Sequence, residues 1–120
     1  MNLYSRTLPY TQMPQADQRK HPRKMFRQLV SLGVPDRQLI QGYTIDISAE
    51  GLSALIPVAL KIGDVCAARF TIMIGDRVVR ISGAGKICSC VCTGSGFRIG
   101  MQFKSQDSIM QQALTQFTAV

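Results

Sequence analysis

Apolar and polar side chains alternate strictly through the second half of this chain. Between Val65 and Ile74, the side chains of Cys66, Ala68, Phe70, Ile72 and Ile74 share one face, with Arg69 and Thr71 opposite. Phe97, Ile99, Met101 and Phe103 alternate in the same way with Arg98, Gln102 and Lys104. A period of two marks a strand with one buried face. Gly75-Asp76 separates the first run from Arg77–Ser82 and predicts a hairpin. Gly94-Ser95-Gly96 turns a strand over 86–93 into the strand over 97–103. Further strands are expected near 25–33, over 39–47, and from Leu52 to Ile56, where Pro57 stops the run. Gly83 and Gly85 interrupt a long strand, as bulges or barrel corners do. The period then changes. Ile109, Met110, Ala113, Leu114 and Phe117 recur at helical spacing behind a Ser105/Asp107 start signal. Short strands, glycine turns and one terminal helix predict an all-β fold, a small antiparallel barrel with the helix packed on it.

The N-terminal part reads differently. Residues 1–18 carry Pro9, Pro14 and scattered polar side chains with no sustained period, which predicts a flexible arm ahead of a domain over 19–120. Arg19, Lys20, Arg23, Lys24 and Arg27 then fall within nine residues, with no acid among them. Pro22 pushes His21 toward extended geometry, so this stretch begins as a basic loop rather than a helix. A length of 120 residues fits one domain, and 46% apolar residues exclude a wholly disordered chain. Fourteen Lys and Arg against seven Asp and Glu leave a charge of +7, which points to an anionic partner. Apolar stretches are cut by Pro57, Lys61 or Gly75, short of the ~18 residues of a membrane span, so no membrane insertion is expected. The first twenty residues hold no apolar run of a secretory signal, so a cytoplasmic location with reduced thiols is expected.

Few residues suit catalysis. The single His21 lies beside Pro22, no serine or cysteine has a base partner in sequence, and neither a phosphate-binding P-loop nor a dinucleotide fingerprint occurs. Catalysis is therefore not expected, and neither is a cofactor. Cys88, Cys90 and Cys92 stand at i, i+2 and i+4, a spacing that sets all three on one strand face rather than around a zinc ion. No metal site is expected. A small basic barrel also invites a reading as an RNA or single-stranded DNA binder. Such binders line their groove with stacking aromatics. Here there are three Tyr, five Phe and no Trp, with most Phe at inward strand positions, so nucleic acid is not the expected partner.

Two short patterns carry more. Arg19 and Arg23 form an RxxxR in the basic loop, and Asp46-Ile47-Ser48-Ala49-Glu50-Gly51 forms a DxSxxG about 25 residues later. Taken alone, the second pattern describes a strand end and turn, with glycine supplying a positive φ. In this order the two patterns resemble the PilZ domain family, bacterial receptors for cyclic di-GMP. His21-Pro22-Arg23, Thr44 to Ser48, Gly51-Leu52-Ser53, Pro57 and Arg98 to Phe103 also follow that family's wording, over roughly 18–118. The resemblance implies a six-stranded antiparallel barrel with a C-terminal helix. It also implies a non-enzymatic receptor that regulates a partner protein in motility, pili, exopolysaccharide or biofilm formation. A PilZ-fold adaptor that binds no nucleotide is the alternative. Carried over residue by residue, the ligand contacts are Arg19, Arg23, Asp46, Ser48 and Gly51, with Gln18, Lys20 and Arg98 as outer contacts.

The chemistry of that assignment is coherent. Guanine O6 and N7 accept from a guanidinium fork, while its N1–H and N2–H₂ donate to a carboxylate. Arg19 and Arg23, at most ~14 Å apart when extended, can straddle such a ligand. Asp46 and Ser48 would project from one strand face, and Gly51 would let the backbone pass close to the ligand.

Overall fold

The alternating runs pair edge to edge into one antiparallel sheet that closes on itself. The structure of the protein, a computed structural model, describes residues 22–104 and 108–119. The expectations for the arm over 1–18, for Gln18, Arg19 and Lys20, and for the Ser105/Asp107 signal lie outside those residues. The strands are β1 (Lys24–Met25), β2 (Leu29–Gly33), β3 (Ile40–Ile47), β4 (Gly51–Ile56), β5 (Val65–Ile74), β6 (Arg77–Thr93) and β7 (Gly96–Phe103). The helix α1 spans Ser108–Thr118. Around the barrel the order is β3, β2, β5, β6, β7, β4 and back to β3. β1 pairs with the same edge of β3 as β2 does, so it extends that strand and the barrel is six-stranded. Closure leaves the sheet no long open edge.

Inward positions build the core. Cys66, Ala68, Phe70 and Ile72 of β5 and Ile99, Met101 and Phe103 of β7 are buried, as alternation requires, together with Val30, Leu32, Ile47 and Ile87. Met110, Leu114 and Phe117 of α1 close over them. The Phe117 ring meets Phe26 edge-on at 5.0 Å between centroids, and Phe26 meets Phe70 at 6.4 Å. Lys24 holds its Nζ 4.0 Å above the Phe117 ring and donates to the Phe117 carbonyl at 3.4 Å. The strand that leads out of the basic loop is thus tied to the last turn of the helix. Ile109 departs from the predicted stripe and faces outward.

The irregularities fall elsewhere than Gly83 and Gly85. β6 runs 17 residues through both glycines, and its register with β5 is unbroken from Lys86 to Arg77. These glycines make room instead. A Cβ at Gly83 would stand 2.8 Å from the Met110 side chain, and one at Gly85 would stand 2.4 Å from that of Met101. The bulge in β6 lies at Cys88, where the register with β7 shifts between Ile87 and Ser89. It breaks the expected common face of the three cysteines. Cys90 packs against the core, whereas Cys88 and Cys92 are exposed.

A second shift lies in β3, between Thr44 and Asp46. A third separates β1 from β2: Met25 pairs with Asp46 and Leu29 with Tyr43, so one extra residue is inserted on the β1–β2 side. The expected strand over 25–33 is therefore bent in the middle. Thr44 repairs this break from across the ladder. Its buried hydroxyl accepts from the Gln28 N–H at 2.9 Å and donates to the Phe26 carbonyl, two groups that the bulge has taken out of the ladder.

Candidate functional site

Asp46 owes its position to the bulge beside it. Ile40, Gly42 and Thr44 point into the barrel, and unbroken alternation would bury Asp46 and expose Ile47. The shift reverses both. Ile47 is fully buried, and the Asp46 carboxylate comes out on the surface, 14% exposed. A lone carboxylate inside an apolar barrel would carry a large desolvation penalty, so the bulge suits this sequence.

Ser48 and Gly51 form the turn that follows. The backbone N–H of Ser48 donates to the Gly51 carbonyl at 2.8 Å, closing a two-residue hairpin from β3 into β4. The Ser48 hydroxyl oxygen accepts from the N–H groups of Glu50 and Gly51, both at 3.2 Å. It also lies 3.4 Å from the Gly51 carbonyl. This serine oxygen is therefore engaged in shaping the loop, and Ser48 lies just past the end of β3 rather than on it. Gly51 is not among the positive-φ residues, so the turn itself does not call for glycine there. The reason is across the sheet. A Cβ at Gly51 would stand 2.1 Å from the backbone oxygen of Met101 in β7.

Around this turn opens a pocket of about 300 Å³, at the small end of ligand cavities. Arg23, Asp46, Ser48 and Gly51 line one side, and Cys88, Ser89, Gly100 and Gln102 line the other. Arg23 precedes β1, whose pairing with the end of β3 brings its guanidinium to Asp46. The contact is long and single, Nη1 to Oδ1 at 3.8 Å, with the arginine side chain 44% exposed. A contact this long, with its arginine end open to water, is worth up to ~1 kcal/mol, so a ligand can recruit either partner at little cost. The pocket presents a cationic fork, the acceptor-only carboxylates of Asp46 and Glu50, the hydroxyls of Ser48, Ser53 and Ser89, and the Gln102 amide. That set fits a ligand with both anionic groups and polar base edges. Among the described residues no group of three His, Cys, Asp or Glu side chains gathers as a metal cluster.

Four of the expected contacts are described and brought together: Arg23, Asp46, Ser48 and Gly51. Arg98 is described and lies apart. It is exposed on β7, two residues before Gly100, and does not line the pocket. Sequence reasoning did not find Cys88, Ser89 and Gln102. For Gly100 a signal existed: a glycine at an outward position between Ile99 and Met101 marks a close approach. A Cβ there would meet the Ser89 Oγ at 2.5 Å. Nothing comparable pointed to Cys88, which reaches the pocket through a bulge that alternation hides.

Comparison with known proteins agrees with this architecture. The family model described as PilZ domain matches residues 17–119. No curated protein matches the chain. Among solved structures, the fold is similar to the Bacillus subtilis inhibitor of motility MotI/DgrA, with a TM-score of 0.75 and 14% identity, over 85% of this chain and 49% of that one. It is also similar to the PilZ domain with c-di-GMP of YcgR from Escherichia coli, with a TM-score of 0.65 and 17% identity, over 85% and 89% of the two chains. The crystal structure of YcgR in complex with c-di-GMP matches with a TM-score of 0.68 and 14% identity, over 81% and 42%. The chain thus spans about half of MotI and rather less of the longer YcgR structure.

Proposed function

We propose that this chain, which belongs to the PilZ domain family, is a non-enzymatic receptor whose pocket binds cyclic di-GMP. The observation that carries the reading is the pairing of Arg23 with Asp46 at the pocket mouth. A guanidinium and a carboxylate side by side match guanine's two kinds of edge, O6 and N7 for the first, N1–H and N2–H₂ for the second. The fork also meets phosphate bidentately or stacks on a purine face. Arg19 would supply a second fork from four residues upstream, within ~14 Å of Arg23. Gln18 and Lys20 would flank it. Cys88, Ser89 and Gln102 would bound the far side of the base. The solved YcgR domain named with c-di-GMP supports this ligand for a similar fold.

On binding, the carboxylate exchanges a long contact with Arg23 for donors of the base, and the arginine is freed for phosphate or ring. Because β1 is tied to α1 through Lys24, Phe26 and Phe117, a change at Arg23 reaches the helix end without a long path. The output would be a changed surface offered to a partner protein in the cytoplasm. No helix among the described residues is long and apolar enough to cross a membrane.

Isothermal titration calorimetry tests the reading. Cyclic di-GMP should bind in the micromolar range or tighter. Arg19→Ala, Arg23→Ala and Asp46→Ala should each lose ~1.5–3 kcal/mol, the worth of a charge-assisted hydrogen bond, or roughly 10- to 150-fold in affinity. The molar ratio would give one ligand or two. No heat, together with no competition against a labelled ligand, would overturn the reading and leave a nucleotide-independent adaptor.

A further inference from the structure

We propose that the outer face of β2, β5 and β6 docks an acidic, aliphatic segment of a partner protein, at a site separate from the pocket. The face departs from what an outward-facing strand surface carries. Leu29, Tyr43, Met73 and Val78 are 47%, 44%, 52% and 64% exposed. The register gathers them: Leu29 pairs with Tyr43 and Met73 pairs with Val78. Between them lie the rungs Thr71–Arg80 and Ser31–Arg69–Ser82. A groove of about 520 Å³ runs along these rungs, lined by Leu29, Ser31, Arg69, Thr71, Arg80 and Ser82 among others.

The charge on the face has one sign. Arg69 and Arg80 are diagonal neighbours across the β5–β6 ladder, which places them ~7–8 Å apart. Arg27 lies over the Tyr43 ring at 4.4 Å. The outward positions of β2, β5 and β6 around them carry no Asp or Glu. Guanidinium forks flanked by aliphatic side chains call for carboxylates that alternate with apolar groups, the pattern of an acidic amphipathic peptide. A second copy of this chain fits poorly, because a two-fold interface would set these arginines against their own copies. Nucleic acid fits poorly too. Stacking platforms are absent where the apolar groups are Leu29, Met73 and Val78 and the exposed ring already carries Arg27.

No residue of this groove lines the pocket. Six residue steps along β6 separate Ser82 from Cys88, roughly 20 Å of extended chain. The docking site therefore stands whether or not the pocket takes a nucleotide.

The test uses the full chain and a fluorescein-labelled peptide of about twelve residues that alternates glutamate and leucine. Three comparators are a glutamate–glutamine peptide, a phosphatidylglycerol vesicle and a single-stranded oligonucleotide, all near ~0.15 M salt. The glutamate–leucine peptide should bind at least tenfold more tightly than each comparator. Arg69→Glu with Arg80→Glu, and separately Met73→Ser with Val78→Ser, should each weaken it at least tenfold. Amide shifts of the unaltered protein should map onto β2, β5 and β6 and spare residues 46–51, a result that needs no variant to fold. Equal binding of the glutamate–glutamine peptide, tighter binding of vesicle or oligonucleotide, or a shift map centred on the pocket would each overturn the proposal.

Discussion

Thr44→Val isolates the device that holds the basic loop on the barrel. Threonine and valine have nearly the same shape, so the change removes a hydroxyl and little else, at a residue that is only 2% exposed. Two backbone groups would lose their partner, the N–H of Gln28 and the carbonyl of Phe26. A buried group left unsatisfied costs ~1–3 kcal/mol. Both bonds are only partly sheltered, so the pair should cost about 2–4 kcal/mol. Against a typical domain stability of ~5–15 kcal/mol that is a large fraction. For a chain of this size, about 3–5 °C of melting temperature per kcal/mol gives a fall of roughly 6–20 °C. Thr44→Ser keeps both bonds and loses one methyl group, about 1 kcal/mol. Urea unfolding followed by circular dichroism reads both variants, with an unchanged slope as the sign that the comparison is fair. If valine proved as well tolerated as serine, the hydroxyl would not be what joins β1 to β2. Calorimetry adds a second readout, since a loosened β1 should also weaken any contact made through Arg23.

The remaining predictions concern the glycines, the helix and the thiols. Gly51→Ala drives a Cβ onto the Met101 backbone oxygen and should cost ~2 kcal/mol or more, whereas Gly100→Ala meets the rotatable Ser89 hydroxyl and should cost less; unfolding midpoints in the reverse order would refute the packing argument. Phe117→Ala removes the ring that Phe26 and Lys24 both use and should cost about 3–5 kcal/mol in the same assay. Cys88 and Cys92 should react with a thiol reagent in the folded protein, while buried Cys66 waits for unfolding. Burial, reinforced by Asp64, pushes the Cys66 thiol above its ordinary 9.0. The unfolded thiol then ionises first as pH rises, so the stability that the neutral buried thiol supplies below 9 is lost above it. Denaturation midpoints at high pH should fall less in Cys66→Ala than in the unaltered chain.

Alternation revealed the strands that keep one parity from end to end. β5 and β7 sit where the apolar period set them, and the helix follows its 110, 114 and 117 spacing. It failed where parity changes. A period of two cannot register an extra residue, and each bulge flips every side chain after it to the opposite face. The glycines at 83 and 85 drew attention because glycine is the usual sign of irregular strand. Here they clear space for Met110 and Met101, and the bulge falls on a cysteine with no sequence signature. The three shifts, between Met25 and Leu29, at Ile45 and at Cys88, lie on or beside the segments that bring Arg23, Asp46, and Cys88 with Ser89 to one pocket. The site is assembled from the irregular parts of an otherwise regular barrel. For that reason its motif residues were legible and its far wall was not.

The same geometry separates the motif residues by what calls for them. Thr44 completes a broken ladder, Ser48 shapes a turn, and Gly51 makes room for a backbone oxygen. A barrel of this shape needs all three whether or not it binds anything. Arg23 and Asp46 are different. Their contact is long and single, its arginine end is open to water, and neither residue belongs to the core cluster. Nothing in the packing asks for a carboxylate at 46 on the outer surface. Asp46→Asn should therefore leave the urea midpoint nearly unchanged, within ~0.5 kcal/mol of stability, while removing the negative charge and replacing one of the two acceptor oxygens with a donor, against the N1–H and N2–H₂ of a guanine edge. Ser48→Ala should behave the opposite way, costing stability through two turn amides and affinity only as far as the turn moves. If the two variants lost affinity and stability in parallel, the pocket would be an accident of the turn. If they divide as stated, Arg23 and Asp46 are there for a ligand.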